Sequence, residues 1–200
     1  EAVELKLAGE VTIRVRLVDC VGFMVEGAAG HLEDGAERLV KTPWYDHEIP
    51  FTQAAELGTR KVITDHSTIG VVVTTDGSFS DLPQETYLDA ENQAISELKK
   101  LHKPFLVLVN SSHPSSRTAR EAAERIEKQH SVAAMPVNCA QLSEEDIRQI
   151  MEQILYEFPV SRVEFYMPKW VEMLPFSHPL KTGLIEKIRE LTGKIRTIRD

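Results

Sequence analysis

The sequence predicts an α/β fold, a mainly parallel sheet with helices on its faces, and three observations lead there. Between residues 69 and 155, apolar strand-like runs alternate three times with segments of helical periodicity, the order that strand-helix-strand crossovers generate. The runs GVVV and FLVLV do not alternate with polar residues, as strands covered on both faces do not. Ahead of them, two short alternating segments on either side of Gly9 read as an antiparallel hairpin.

In that hairpin Val3, Leu5 and Leu7 alternate with polar residues, and Val11, Ile13, Val15 and Leu17 do so again after Gly9. Thr12, Arg14 and Arg16 face the other way, so that side is predicted to be solvated or covered by a polar layer. The second strand is predicted to deliver Asp19 at its end, with Cys20 beside it as a buried small thiol. From Val25 to Asp65 periodicity fades through glycines, Pro43, Trp44, Tyr45 and Pro50 into a helix-like piece, FTQAAELGTRKVI. So long an excursion marks a functional or partner-binding segment.

Residues 69–73 then form a strand predicted to be buried on both faces. Pro83 suits a first helical turn, and Tyr87, Ala94, Ile95, Leu98 and Leu101 recur at helical spacing. PFLVLVN, residues 104–110, is a second buried strand ending in the polar loop SSHPSS. Ala119, Ala122, Ala123 and Ile126 mark the next helix, and SVAAMPVN a weaker strand. Ser143 caps a further helix with Glu145 and Asp146 in its first turn, carrying Ile147, Ile150, Met151, Ile154 and Leu155. The composition changes after Phe158 to the aromatic, proline-bearing RVEFYMPKWVEMLPFSHP. A closing helix is predicted to carry Leu184, Ile188, Leu191, Ile195 and Ile198 on one stripe, too short for a coiled coil. Residues 1–158 are therefore expected to form one domain, and 159–200 the start of a following middle domain or a docking helix.

Composition narrows the function. A net charge of -8 lacks the basic face that phosphate backbones require, so nucleic acid is not an expected partner. Cys20 and Cys139 have no C-x-x-C spacing and fit reduced thiols in a cytosolic setting. No apolar run approaches the roughly 18 residues that span a bilayer. The chain opens on Glu1 without an initiator Met, and is read as an excerpt of something longer. His47, His66, His102, His113, His130 and His178 show no zinc-site spacing. Trp44, Tyr45, Trp170 and Phe176 read equally as interface anchors or as cover for the sheet.

The chemistry is carried by VRLVDCVGF, in which Asp19 and Gly22 form D-x-x-G at the end of the hairpin. D-x-x-G alone is common by chance, but a hairpin before it and alternating strands and helices after it is the arrangement of P-loop nucleotide hydrolases of the GTPase type. There the carboxylate holds magnesium through a water, and the glycine N–H approaches the terminal phosphate because no side chain intervenes. Asn110 stands where those proteins carry N-K-x-D, but Ser111, Ser112 and His113 follow it, so the lysine and the base-reading acid are lost. Guanine then has no paired acceptor and adenine becomes admissible. Asn138 to Ala140 occupy the place of the short loop beneath the base. The chain's GK pair, Gly193-Lys194, does not fit G-x-x-x-x-G-K-[ST], so the phosphate-binding loop and the switch threonine are expected before Glu1.

With VRLVDCVGF, TTDGSFSDLP, LVNSSHP and PFSHPLKTGLIEKIRE, essentially the whole chain resembles the stage IV sporulation protein A family, the spore-coat morphogenetic ATPases of endospore-forming bacteria. The resemblance implies a P-loop GTPase-like, translation-factor-related domain, incomplete at its N-terminus, with ATP and Mg2+ as cofactors. Asp19 would be the catalytic, magnesium-positioning acid, and Gly22, Asn110 and Ser111 the nucleotide contacts. It also implies ATP-driven assembly of a homopolymer, the basement layer of the spore coat, in the mother-cell cytoplasm at the forespore outer membrane. A small amphipathic membrane-anchoring peptide and other coat proteins would be its partners, with membrane contact only through them. As given, the chain is expected not to hydrolyse ATP. Two alternatives stand beside this: a structural polymer- or partner-binding module with a vestigial site, and a GTPase regulator. In GTPase strand order the first strand lies between the third and the fourth, so without it the sheet is expected to have a gap with unpaired apolar edges.

Overall fold

A computed structural model describes residues 2–7, 11–33 and 35–200; the turn expected at Gly9 lies outside the described residues. The chain divides into two compact units, Glu1–Ile154 and Leu155–Asp200.

The first unit begins with the hairpin. β1 (Val3–Lys6) pairs antiparallel with β2 (Thr12–Val15), Val3 opposite Val15 and Leu5 opposite Ile13. Ile13 and Val15 are half-buried while Thr12, Arg14 and Arg16 are exposed, the alternation the sequence predicts. β2 stops sooner than expected, at Val15, which pairs with Val3. Leu17 is consequently 83% exposed, and Asp19 stands in an irregular segment past the strand rather than at its end. Cys20, expected to be buried in the strand end, is exposed in this irregular segment.

The long excursion has structure of its own. β3 (Leu32–Glu33) pairs with β4 (Ala36–Glu37), and β5 (Leu39–Val40) with β6 (Ile49–Pro50). Helix α1 (Phe51–Lys61) follows and runs into a π-helical turn, Val62–His66. The Lys103 ammonium closes this end, donating to the carbonyls of Ile63, Thr64 and Ser67; a cation suits the negative end of a helix.

The core is a parallel sheet of β7 (Gly70–Thr75), β8 (Phe105–Asn110) and β9 (Ala134–Val137), with β8 central. Crossovers through α2 (Leu88–Lys100) and α3 (Arg117–His130) make it parallel, and α4 (Glu144–Tyr156) follows β9. Val72, Phe105, Val107 and Val109 face Ile95 and Leu98 of α2 and Ala122, Ala123 and Ile126 of α3. A Cβ at Gly70 would lie 2.7 Å from a Leu98 methyl and 3.1 Å from Phe105 Cβ, so a side chain there would displace Leu98 within the core. Beneath the helices, Glu91 is buried; its Oε2 accepts from Thr74 Oγ1 at 2.9 Å and from Arg125 Nη2 at 3.1 Å, joining β7, α2 and α3.

β7 corrects the sequence reading. It was expected to be covered on both faces, yet Val71 and Val73 are exposed, while Leu106 and Leu108, beside them in register on β8, are buried. β7 has β8 on one edge and no strand on the other among the described residues, and the hairpin forms a separate sheet. An apolar run cannot distinguish a central strand from an edge that awaits cover.

In the second unit, Pro159 bridges Thr197 antiparallel, and α5 (Lys169–Glu172) precedes α6 (Pro179–Thr192). Lys181 is buried, donating to Glu172 O at 2.8 Å and Leu174 O at 2.9 Å, with the Phe176 ring against it. The closing helix is shorter than predicted: Ile195 and Ile198 lie past its end, where the Asp200 carboxylate accepts the amides of Arg196 and Thr197 and closes a turn instead.

Candidate functional site

Polar loops gather at the C-terminal ends of β7, β8 and β9, where ligands bind open parallel sheets. At the end of β7, Asp76 Oδ1 accepts from the Ser78 amide at 3.0 Å and its hydroxyl at 2.6 Å. Ser78 Oγ in turn accepts the Ser112 amide at 2.9 Å, tying this loop to the one after β8. Burial alone would raise the Asp76 carboxyl, but hydrogen bonds from Ser111 and Ser78 outweigh it and hold it below the usual range.

Asn110 and Ser111 belong to this network. Asn110 Oδ1 accepts the Cys139 amide at 3.0 Å, so the last residue of β8 braces the Asn138–Ala140 loop after β9. Burial pushes the Cys139 thiol up. Ser111 is fully buried, and its hydroxyl accepts the His113 amide at 3.1 Å. His113, where an acid would read guanine, has Nδ1 2.9 Å from Ser112 Oγ. Loops after all three strands are thus joined by hydrogen bonds at this end.

Asp19 and Gly22 lie elsewhere in the unit. Asp19 is exposed, and its Oδ1 accepts the amide of Cys20 at 2.9 Å, a contact within its own loop. Gly22 has φ +88° with no atom near a built Cβ, so conformation rather than crowding demands glycine there. Its amide donates to Thr59 Oγ1 at 3.0 Å, and the same hydroxyl lies 3.1 Å from Gly22 O. The loop and Thr59 line a cavity of about 440 Å³ that extends along β7 past Val71 and Val73 to Glu91. Asn110 and Ser111 are not among its lining residues, so the predicted site residues form two groups rather than one pocket.

A magnesium nucleotide is compatible with the Asp19–Gly22 group on its donor chemistry. Among the described residues no group of three or more His, Cys, Asp or Glu forms a cage, and magnesium on a nucleotide needs none, since phosphates and water supply most of its ligands. One solvent-facing carboxylate, as at Asp19, is what such a site asks of the protein. Thr59 and Asp76 were not foreseen. Asp76 had a signal in the T-D-G-S turn after a strand; Thr59 had none, because what marks it is a contact 37 residues away in sequence.

These features define a mixed α/β domain with a parallel sheet, polar strand-end loops and a D-x-x-G loop. The chain belongs to the stage IV sporulation protein A family: the family described as "Stage IV sporulation protein A, ATPase domain" matches residues 1–159, and "Stage IV sporulation protein A, middle domain" matches 160–200. Over all 200 residues it is 44% identical to stage IV sporulation protein A of Clostridioides difficile (strain 630) and 37% identical to that of Bacillus subtilis (strain 168). The Bacillus anthracis protein of the same name is 36% identical. The chain spans 41% of the length of these relatives. No solved structure matches it. Among the described residues no helix is long and apolar enough to cross a membrane.

Proposed function

We propose that this chain works within a longer sporulation ATPase, supplying the switch and base ends of a P-loop GTPase-like site whose phosphate-binding loop comes from sequence outside it. The observation that carries this is the Asp19–Gly22 loop: an exposed carboxylate and a positive-φ glycine on an irregular segment at the mouth of a cavity, in a chain matched by an ATPase-domain family. The hairpin forms a separate sheet and β7 has no strand on its outer edge among the described residues, which fits a reading in which the first strand of GTPase order comes from sequence outside this chain.

Bound magnesium-ATP would supply the phosphoanhydride to be broken and the cation that neutralises its charge. Asp19 would hold magnesium through a water, and the Gly22 amide would turn to the terminal phosphate. At the base end, Asn110 fixes the Asn138–Ala140 loop and Ser111 locks the His113 turn, which offers no carboxylate to guanine. That absence favours adenine and counts against a GTPase regulator. In this reading hydrolysis drives a homopolymer, the basement layer of the spore coat on the forespore's mother-cell side. A small amphipathic peptide anchors it to the membrane, and other coat proteins assemble on it.

The structural-module reading has one observation in its favour, that the Gly22 amide is already satisfied by Thr59. Sedimentation of the full-length protein with magnesium and ATP, GTP or ADP separates the two. Polymer that forms with ATP and not with GTP or ADP supports the ATPase; equal polymer under all conditions supports the module.

A further inference from the structure

We propose that Thr59 is a latch that holds the Gly22 amide away from nucleotide until a triphosphate displaces it, and so reports nucleotide state to the excursion between residues 25 and 65. This rests on the ATPase reading and deepens it. One buried hydroxyl, reaching across 37 residues of sequence, engages both polar backbone groups of Gly22 at 3.0 and 3.1 Å. An amide N–H directed at Thr59 is not available to a phosphate. The amide must therefore leave Thr59 when it turns to a ligand, and the hydroxyl loses the donor whose hydrogen bond it accepts.

The release has somewhere to go. Thr59 sits in the last turn of α1, and its neighbour Gly58 lies under Trp44, whose ring is 3.3 Å from where a Cβ at Gly58 would be. The ammonium of Lys61, two residues on, lies 5.8 Å from the Trp44 ring centre. The turn that grips the D-x-x-G loop is thus the turn against which the excursion's indole packs. Arg60, between them, lies 3.6 Å from Glu97 of α2. Thr59 is a positioning residue in this scheme: it touches Gly22 and acts on nucleotide only through it.

The test uses the full-length protein as wild type, Thr59→Val and Thr59→Ser, with magnesium and a non-hydrolysable ATP analogue or ADP. Hydrogen exchange is followed in peptides covering residues 19–24 and 55–63, with thermal midpoints to confirm folding. The latch predicts that the analogue, but not ADP, speeds exchange in 55–63 of the wild type. Thr59→Val should show that faster exchange without ligand and bind the analogue about five- to tenfold more tightly, the equivalent of one hydrogen bond no longer in competition. Thr59→Ser, which keeps the hydroxyl, should behave as wild type. Analogue binding with unchanged exchange in 55–63, and an affinity unaltered or weakened in folded Thr59→Val, would overturn the latch while leaving the nucleotide site standing. Failure of the wild type to bind the analogue would overturn both.

Discussion

The two polar regions of the first unit differ in how far their hydrogen bonds are already committed. Around Asp76, Asn110 and Ser111, side chains and amides from loops after three strands close on one another. At Asp19 the carboxylate touches only its own loop, and the Gly22 amide is held by a helix from a distant part of the chain. The strands beneath repeat the contrast: β8 is buried on both faces, while β7 exposes Val71 and Val73. A closed network has most of its donors and acceptors already engaged, whereas an open loop keeps its carboxylate turned to solvent. The comparison teaches which polar region the chain closes with its own hydrogen bonds and which it leaves open.

The largest effect expected on the built side comes from Arg125→Met. It leaves the buried Glu91 carboxylate without its cation, and should lower stability by about 3 kcal/mol in urea unfolding, with much of the loss recovered by pairing it with Glu91→Leu. Gly70→Ala should cost about 2 kcal/mol by overpacking Leu98 and Phe105. Asn110→Ala removes the acceptor for the Cys139 amide and should cost about 1 kcal/mol, with faster exchange at residues 138–141. A smaller effect tests pH. Burial and the nearby Lys99 charge hold the His130 imidazole below its ordinary 6.5, so the folded state takes up the proton less readily than the unfolded one. Its contribution is full above that ordinary value and is lost as pH falls from there towards the folded one; His130→Gln should flatten that part of the stability profile. On the open side, Asp19→Ala should leave stability unchanged within about 0.5 kcal/mol, being an exposed residue outside the core. A large loss there would erase the contrast between the two regions.

The sheet and its helices were legible because burial there follows period: the apolar residues of β8, α2 and α3 lie where spacing puts them. Ser143 was legible as a cap, and its hydroxyl accepts the Asp146 amide at 3.1 Å. The errors share one cause, since each depended on a partner that local sequence does not specify. GVVV reads alike in a central strand and in one with an open face. VRLVDC reads as one strand to its end, although the ladder stops at Val15 and leaves Cys20 exposed. The stripe through Ile195 and Ile198 keeps helical spacing although a turn closed by Asp200 has replaced the helix. Asp19, Gly22 and Asn110 could be singled out because short motifs mark their positions. Thr59 could not, because what makes it notable is a contact with Gly22 far away in sequence.

The measurement that bears most directly on the account is ATP turnover by the full-length protein with and without Asp19→Ala, read beside the urea midpoint of each. The account predicts a fall on the order of a hundredfold or more, as for loss of a group that positions a catalytic metal, at an unchanged midpoint. Turnover that survives the substitution would contradict it, and would return Asp-x-x-Gly to an ordinary turn after a strand.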